Sequence, residues 1–263
     1  MKTFYRIVIG MALTAILSTV EAQNTNTESG QSADTICFSG LEVSPKIEAE
    51  LASIPLLNIS PASRATVLPD GVDNSKQIWF RGIFSQKDGC CGQAAGVGYT
   101  FTYEVNRMRG LEANVPSHQY PTHFTYNYLN EEYANRGSWP HNGWDVIKEM
   151  GVPSVEDYGG MYKDFPTEAD RINVWETGYN HYYHALTNKV VLSYNKEVVN
   201  NSTKLNNIKH WLNDHGNGES SGGLAVFCAN VYDYTSATLS HESDSAGQWV
   251  VTGWGNEHGG LHA

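Results

Sequence analysis

Positive charge is scarce in this chain: 17 Lys and Arg stand against 28 Asp and Glu in 263 residues, a formal net charge of −11 at pH 7. The basic residues form no run, and only Arg107 and Arg109 lie close together. A polyanion needs a positive surface, so nucleic acid is not an expected partner. Cysteine is also sparse, at four residues, and no C-x2-C pair sets up a structural zinc site. No metal or other cofactor is expected. Beyond the first 22 residues no apolar run approaches the roughly 20 needed to span a bilayer. Internal repeats are absent, and low complexity is confined to Gln23–Asp34, rich in Asn, Thr, Ser and Gly, which reads as a flexible leader.

What is present begins with a targeting pattern. Lys2 and Arg6 precede the apolar stretch Ile7–Leu17, and Val20-Glu21-Ala22 has the small-x-small form of a cleavage site. Residues 1–22 therefore read as a secretory signal peptide, which implies a secreted or periplasmic protein. Its removal leaves 15 basic and 27 acidic residues and a net charge of −12. Cys37, Cys90, Cys91 and Cys228 all remain, and an oxidising compartment favours disulfides among them. Three complete pairings are open, and a bond between adjacent Cys90 and Cys91 strains the backbone.

Residues 23–67 read as a leader or pro-segment with one short helix, since Ile47, Leu51, Ile54 and Leu57 recur at four- and three-residue steps. An extended approach, Gln77–Phe84, then leads to Ser85-Gln86-Lys87-Asp88-Gly89-Cys90-Cys91-Gly92-Gln93. From there Ala94, Val97, Phe101, Val105 and Met108 mark the inward face of a helix that Gly110 ends. Gly92, Gly96 and Gly98 each cost about 1 kcal/mol of helix propensity relative to Ala. Their accumulation implies that another backbone or a substrate passes close by. A second helix is expected over Gly143–Met150 and a third over Thr203–His215, with Gly216 as its C′ residue. Strands are expected around Val190–Leu192, Gly223–Ala229 and Gln248–Thr252.

A thiol attacks a carbonyl as thiolate, and a helix N-terminus stabilises that form. Cys91 has this position. Its backbone N–H and the side-chain amide of Gln86 are candidate oxyanion donors, and His262 is the candidate base, with His258 beside Glu257 as the rival. The ordinary alternative is that Cys91 is a disulfide partner or an inert buried thiol.

These residues resemble the papain-like cysteine peptidases, in particular a secreted bacterial branch, over residues 68–263. Cys91 and its helix look like that family's nucleophile and central helix. Asn142-Gly143 resembles the glycine-bearing wall of the substrate cleft, and Gly260-Leu261-His262-Ala263 resembles the start of the strand bearing the catalytic histidine. The pattern departs from the family's usual one: Gly92 and Gln93 follow the nucleophile, and the Gln86-to-Cys91 spacing is one residue shorter. Another alignment matches Cys91 to the upstream structural cysteine and leaves Ala94 where the nucleophile belongs.

The resemblance implies an α+β protein with the papain-like two-lobe fold, a helical left lobe and an incomplete β-rich right lobe, truncated at its C-terminal end. The orienting Asn is expected beyond Ala263. The implied activity is cysteine-type hydrolysis of protein or peptide substrates through Cys91, His262 and Gln86. The alternative is a catalytically inactive module of the same family that binds peptide or carbohydrate, drawing on the aromatics around Tyr120–Tyr133 and Trp175–Tyr183.

Overall fold

The computed structural model describes residues 44–87, 89–129, 137–162, 193–230, 239–241, 249–251 and 261–262. Helix α1 (Pro45–Ser53) starts where the periodicity predicts, because the Ser44 side chain accepts from Ile47 N at 3.3 Å and Pro45 occupies the first turn. Its Leu51 packs with Ile54 and Trp139, whereas Leu57 joins a different cluster around Ile208 and Leu212. Helix α2 (Pro61–Arg64) is a single turn capped by Ser60.

The central helix runs from Cys91 to Arg109 in three parts. An α-helical turn, α3 (Cys91–Gln93), passes into a π-helical stretch (Ala94–Phe101) and then into α4 (Thr102–Arg109). Gly110 ends it with φ 64°, a left-handed conformation suited to glycine. Val97, Phe101 and Val105 face inward as expected. Met108 does not, at 59% exposed. The wider π turn rotates the later residues, so the spacing that predicts one stripe no longer describes one face.

Gly92 and Gly96 have the expected neighbouring backbone, whereas Gly98 is closed in by the Phe84 side chain. A Cβ on Gly92 would sit 1.9 Å from the Ser138 carbonyl oxygen, and one on Gly96 would sit 3.0 Å from Pro140 Cβ. That backbone leads into α6 (Pro140–Met150), which starts three residues before the expected second helix and buries Val146 and Ile147. With α5 (Thr122–Leu129) and α7 (Val155–Tyr158), these elements enclose the main core: Val97, Phe101, Val105, Tyr120, Phe124, Val146, Ile147, Val152 and Tyr158. Tyr120, Phe124 and Tyr126 are therefore interior side chains, at most 2% exposed, and not a stacking platform for a sugar. The Trp175–Tyr183 group lies outside the described residues, as does the strand expected at Val190–Leu192.

Helix α8 (Ser202–Asp214) fits the third expected helix, with Asn201 accepting from Lys204 N at 3.0 Å. His215, not Gly216 alone, takes the left-handed turn, at φ 54°. Its ring bridges Ser221 O and Glu104 Oε2, each at 2.8 Å.

The expectation of a β-rich right lobe is overturned. Among the described residues the strands are β1 (Ala229–Asn230), β2 (Leu239–His241), β3 (Trp249–Val251) and β4 (Leu261–His262). They form only two antiparallel pairs, β1 with β4 and β2 with β3, so the described protein is helical and carries no extended sheet. The segment expected as the strand Gly223–Ala229 shows why. Gly223 N donates to Trp211 O at 2.9 Å, Asn74 Nδ2 donates to Gly223 O at 3.0 Å, Leu224 N donates to Glu104 Oε1 at 3.1 Å, and Trp211 Nε1 donates to Leu224 O at 2.8 Å. The backbone groups of Gly223 and Leu224 are thus satisfied by α8 and by side chains, and ladder pairing begins only at Ala229. Leu224 and Val226 are nonetheless buried and alternate with half-buried Ala225 and Phe227, which is the pattern that predicts a strand.

Candidate active site

Cys91 opens the central helix. Cys90 in the N-cap position offers no side-chain hydrogen bond to the first turn, so no cap from that side chain competes for its N–H groups. Both cysteines are 0% exposed. Cys90, Cys91 and Cys228 are thiols and not disulfides, while Cys37 lies outside the described residues. The N-terminal end of the helix is held by Gln93, whose amide donates to Ser138 Oγ at 3.1 Å and Trp139 O at 3.0 Å and accepts from Thr125 Oγ1 at 2.8 Å. Gln93 thus fixes Ser138–Trp139 beside the thiols.

The backbone of His262 pairs with Ala229, the residue after Cys228. Cys228 is half-buried; desolvation first and the charge of Cys91 second push its pKa up to about 12. Strand β4, the Cys228 segment and the start of the central helix are therefore neighbours. His258 lies outside the described residues. Gln86 is half-buried on the incoming loop, and no hydrogen bond among the described residues links its amide to Cys91. Asn142 and Gly143 lie in the first turns of α6. Gly143 is closed in by Gln93, whose Oε1 would be 1.8 Å from an added Cβ, and Asn142 Nδ2 donates to Glu50 Oε2 at 3.4 Å.

Glu50 belongs to α1, and this helix is what the sequence reading did not place. Leu51, Ile54, Trp139, Pro140, His141 and Cys228 line a cavity of about 40 Å3 beneath it. His141 Nε2 is 3.5 Å from Glu50 Oε2, close enough for attraction but without hydrogen-bond geometry. Burial holds the His141 pKa below its ordinary value, against the opposing pull of Glu50. Lys196 fastens the following segment: its ammonium donates to Leu51 O, its N–H donates to Pro55 O at 2.8 Å, and its carbonyl accepts from Leu57 N at 2.8 Å. The signal for this docking lay in α1's own apolar stripe, but its target is more than 80 residues away in sequence.

Tyr162 donates to Ser85 O, and its pKa is pushed up to about 12 by burial and then by Cys90. Among the described residues no three His, Cys, Asp or Glu side chains form a group able to hold a metal ion. No helix among them is long and apolar enough to cross a membrane. Comparison with protein-family models, with curated proteins and with solved structures gives no match.

Proposed function

We propose that the chain carries a cysteine-type peptidase site with Cys91 as nucleophile, His262 as base and Gln86 as oxyanion donor, in a secreted or periplasmic protein. The observation that carries this reading is the junction of the Cys91 helix start with the Cys228–Ala229 segment, whose β-partner is the backbone of His262. The resemblance of the Gln86, Cys91, His262 order to the papain-like cysteine peptidases supports it further. In the proposed reaction the Cys91 proton passes to the His262 imidazole, and the thiolate attacks the peptide carbonyl. The oxyanion is held by Cys91 N–H and the Gln86 amide. The leaving amine takes the proton from His262, and water then hydrolyses the thioester. The proposed cleft wall includes Asn142, with Gly143 beneath it.

Residues 45–57 act in this proposal as the end of a pro-segment lying over the site, consistent with the complete burial of Cys91. The test is alkylation by a peptidyl epoxide followed by mass spectrometry of the labelled thiol. Leu51→Asp, which puts a charge against Trp139, is expected to raise the labelling rate of Cys91 at least about tenfold over wild type, at a reagent concentration that spares Cys228. The cost of burying an unpaired charge motivates the size of that effect. Equal slow labelling of all thiols in both proteins would sink the nucleophile assignment. It would favour the second reading, a module that binds peptide without turnover, for which the 0% exposure of Cys91 already speaks.

A further inference from the structure

A second group of side chains, on the far side of the loop that leads to Cys91, has a charge imbalance that the thiol chemistry does not use. Arg81 is 7% exposed, and among the described residues no carboxylate pairs with it. Its one polar contact is from Nη1 to the Met161 thioether at 3.3 Å, a weak acceptor. The guanidinium carbon sits 4.2 Å from the centre of the Phe84 ring. The Nε–H is buried with no acceptor.

Two tyrosines flank the group. Tyr99 stacks on Phe84 at 4.8 Å and accepts from Phe84 N at 3.3 Å, which leaves its own hydroxyl proton to be donated elsewhere. Tyr162 spends its proton on Ser85 O. Burial raises the pKa of both, so neither supplies a negative charge at neutral pH. Among the described residues this buried guanidinium has only a ring face and a thioether for company, which is strongly unfavourable, since a cation–π contact recovers only part of the lost hydration. The physical remedy is an anion.

We infer that the Arg81 site binds a small monovalent anion, held by the Arg81 Nε–H with the Tyr99 hydroxyl as second donor and the Phe84 ring as its wall. A halide and a single carboxylate share this chemistry. The bound anion neutralises the core of the segment Arg81–Lys87 and so steadies the loop that carries Gln86. The inference stands independently of whether Cys91 is a nucleophile.

The experiment is thermal unfolding of the full chain at constant ionic strength as the sodium salt of a bulky buffer sulfonate (MES), neither a halide nor a carboxylate, is exchanged for sodium chloride. Wild-type Tm is expected to rise saturably, by roughly 3–5 °C for each tenfold increase of chloride above half-saturation. Arg81→Met is expected to show no chloride dependence and to be at least as stable as wild type in the sulfonate, because it removes an unpaired charge. A merely structural arginine would instead lose the same number of degrees in both salts, which would overturn the inference. A parallel arm uses an acetylated dipeptide acid and its amide: a Tm response to the acid alone, lost in Arg81→Met, identifies a carboxylate as the anion. No response of the wild type to either chloride or the acid overturns the proposal. If Arg81→Met does not fold, anomalous diffraction from bromide-soaked wild-type crystals decides: a peak within hydrogen-bonding reach of Nε supports the site, and none there rejects it.

Discussion

At the scale of single residues, close approach and burial govern what the site tolerates. Gly92→Ala would drive a Cβ to 1.9 Å from the Ser138 carbonyl oxygen, a backbone atom that has no rotamer to yield. We expect it to destabilise the protein by about 3 kcal/mol, the upper end of the overpacking range, measured by urea unfolding. The sequence identified Gly92, Gly96 and Gly98 as places of close approach but not what approaches: Ser138 and Pro140, more than 40 residues away, at the first two, and the Phe84 ring at Gly98. His141 yields a pH prediction. Its pKa is depressed in the folded protein by burial, so the unfolded chain binds a proton more readily. Stability contributed by neutral His141 is complete above its ordinary pKa near 6.5 and is lost as pH falls through and below that value. A chevron or melt series from pH 7.5 to 5 should show that decline, and His141→Phe should flatten it. An unchanged slope would remove His141 from the account.

At the scale of elements, helices marked by apolar spacing were the most legible feature and strand pairing the least, while the caps that start the helices emerge only in the structure. Ser44 and Asn201 each stand one residue before a helix and accept from its first turn, as their side-chain chemistry dictates. Asn201→Ala is expected to cost about 1 kcal/mol, read as a lower urea midpoint with unchanged m. The π-helical stretch was illegible, since an i→i+5 ladder has the same composition as an i→i+4 one. The expected strand at Gly223–Ala229 failed for a different reason. Its alternation reports which side chains are buried, and burial against α8 produces the same pattern as burial in a sheet. Only the destinations of the backbone hydrogen bonds, Trp211, Glu104 and Asn74, separate the two. Trp211→Leu keeps the backbone carbonyl that accepts from Gly223 N but leaves Leu224 O without its indole donor. We expect a loss of about 1–3 kcal/mol.

At the scale of the whole molecule, the order of parts along the chain was readable and their three-dimensional association was not. The sequence marks a leader helix, a cysteine-bearing helix start and a distal histidine. It carries no sign that Leu51 and Ile54 would meet Trp139, or that Ala229 would pair with His262. Such contacts depend on tertiary packing between segments far apart in sequence, which periodicity does not encode. If α1 is an independently detachable cover, amide exchange over residues 45–57 should proceed faster than over α8, and Lys196→Ala should accelerate it further by deleting the ammonium bond to Leu51 O. Exchange at a common rate throughout would mean that α1 opens only when the entire protein unfolds. The burial of Cys90 and Cys91 has one more consequence. Sulfur oxidation by peroxide, and mixed-disulfide formation with small thiols, both require the reagent to touch the sulfur atom. Two thiols without contact with water are therefore preserved in the reduced state in surroundings that would otherwise consume them. Among the described residues the Cys90 side chain packs with Ala94, Tyr126 and Phe84, so loosening of that packing should speed the loss of titratable thiols in a stored preparation.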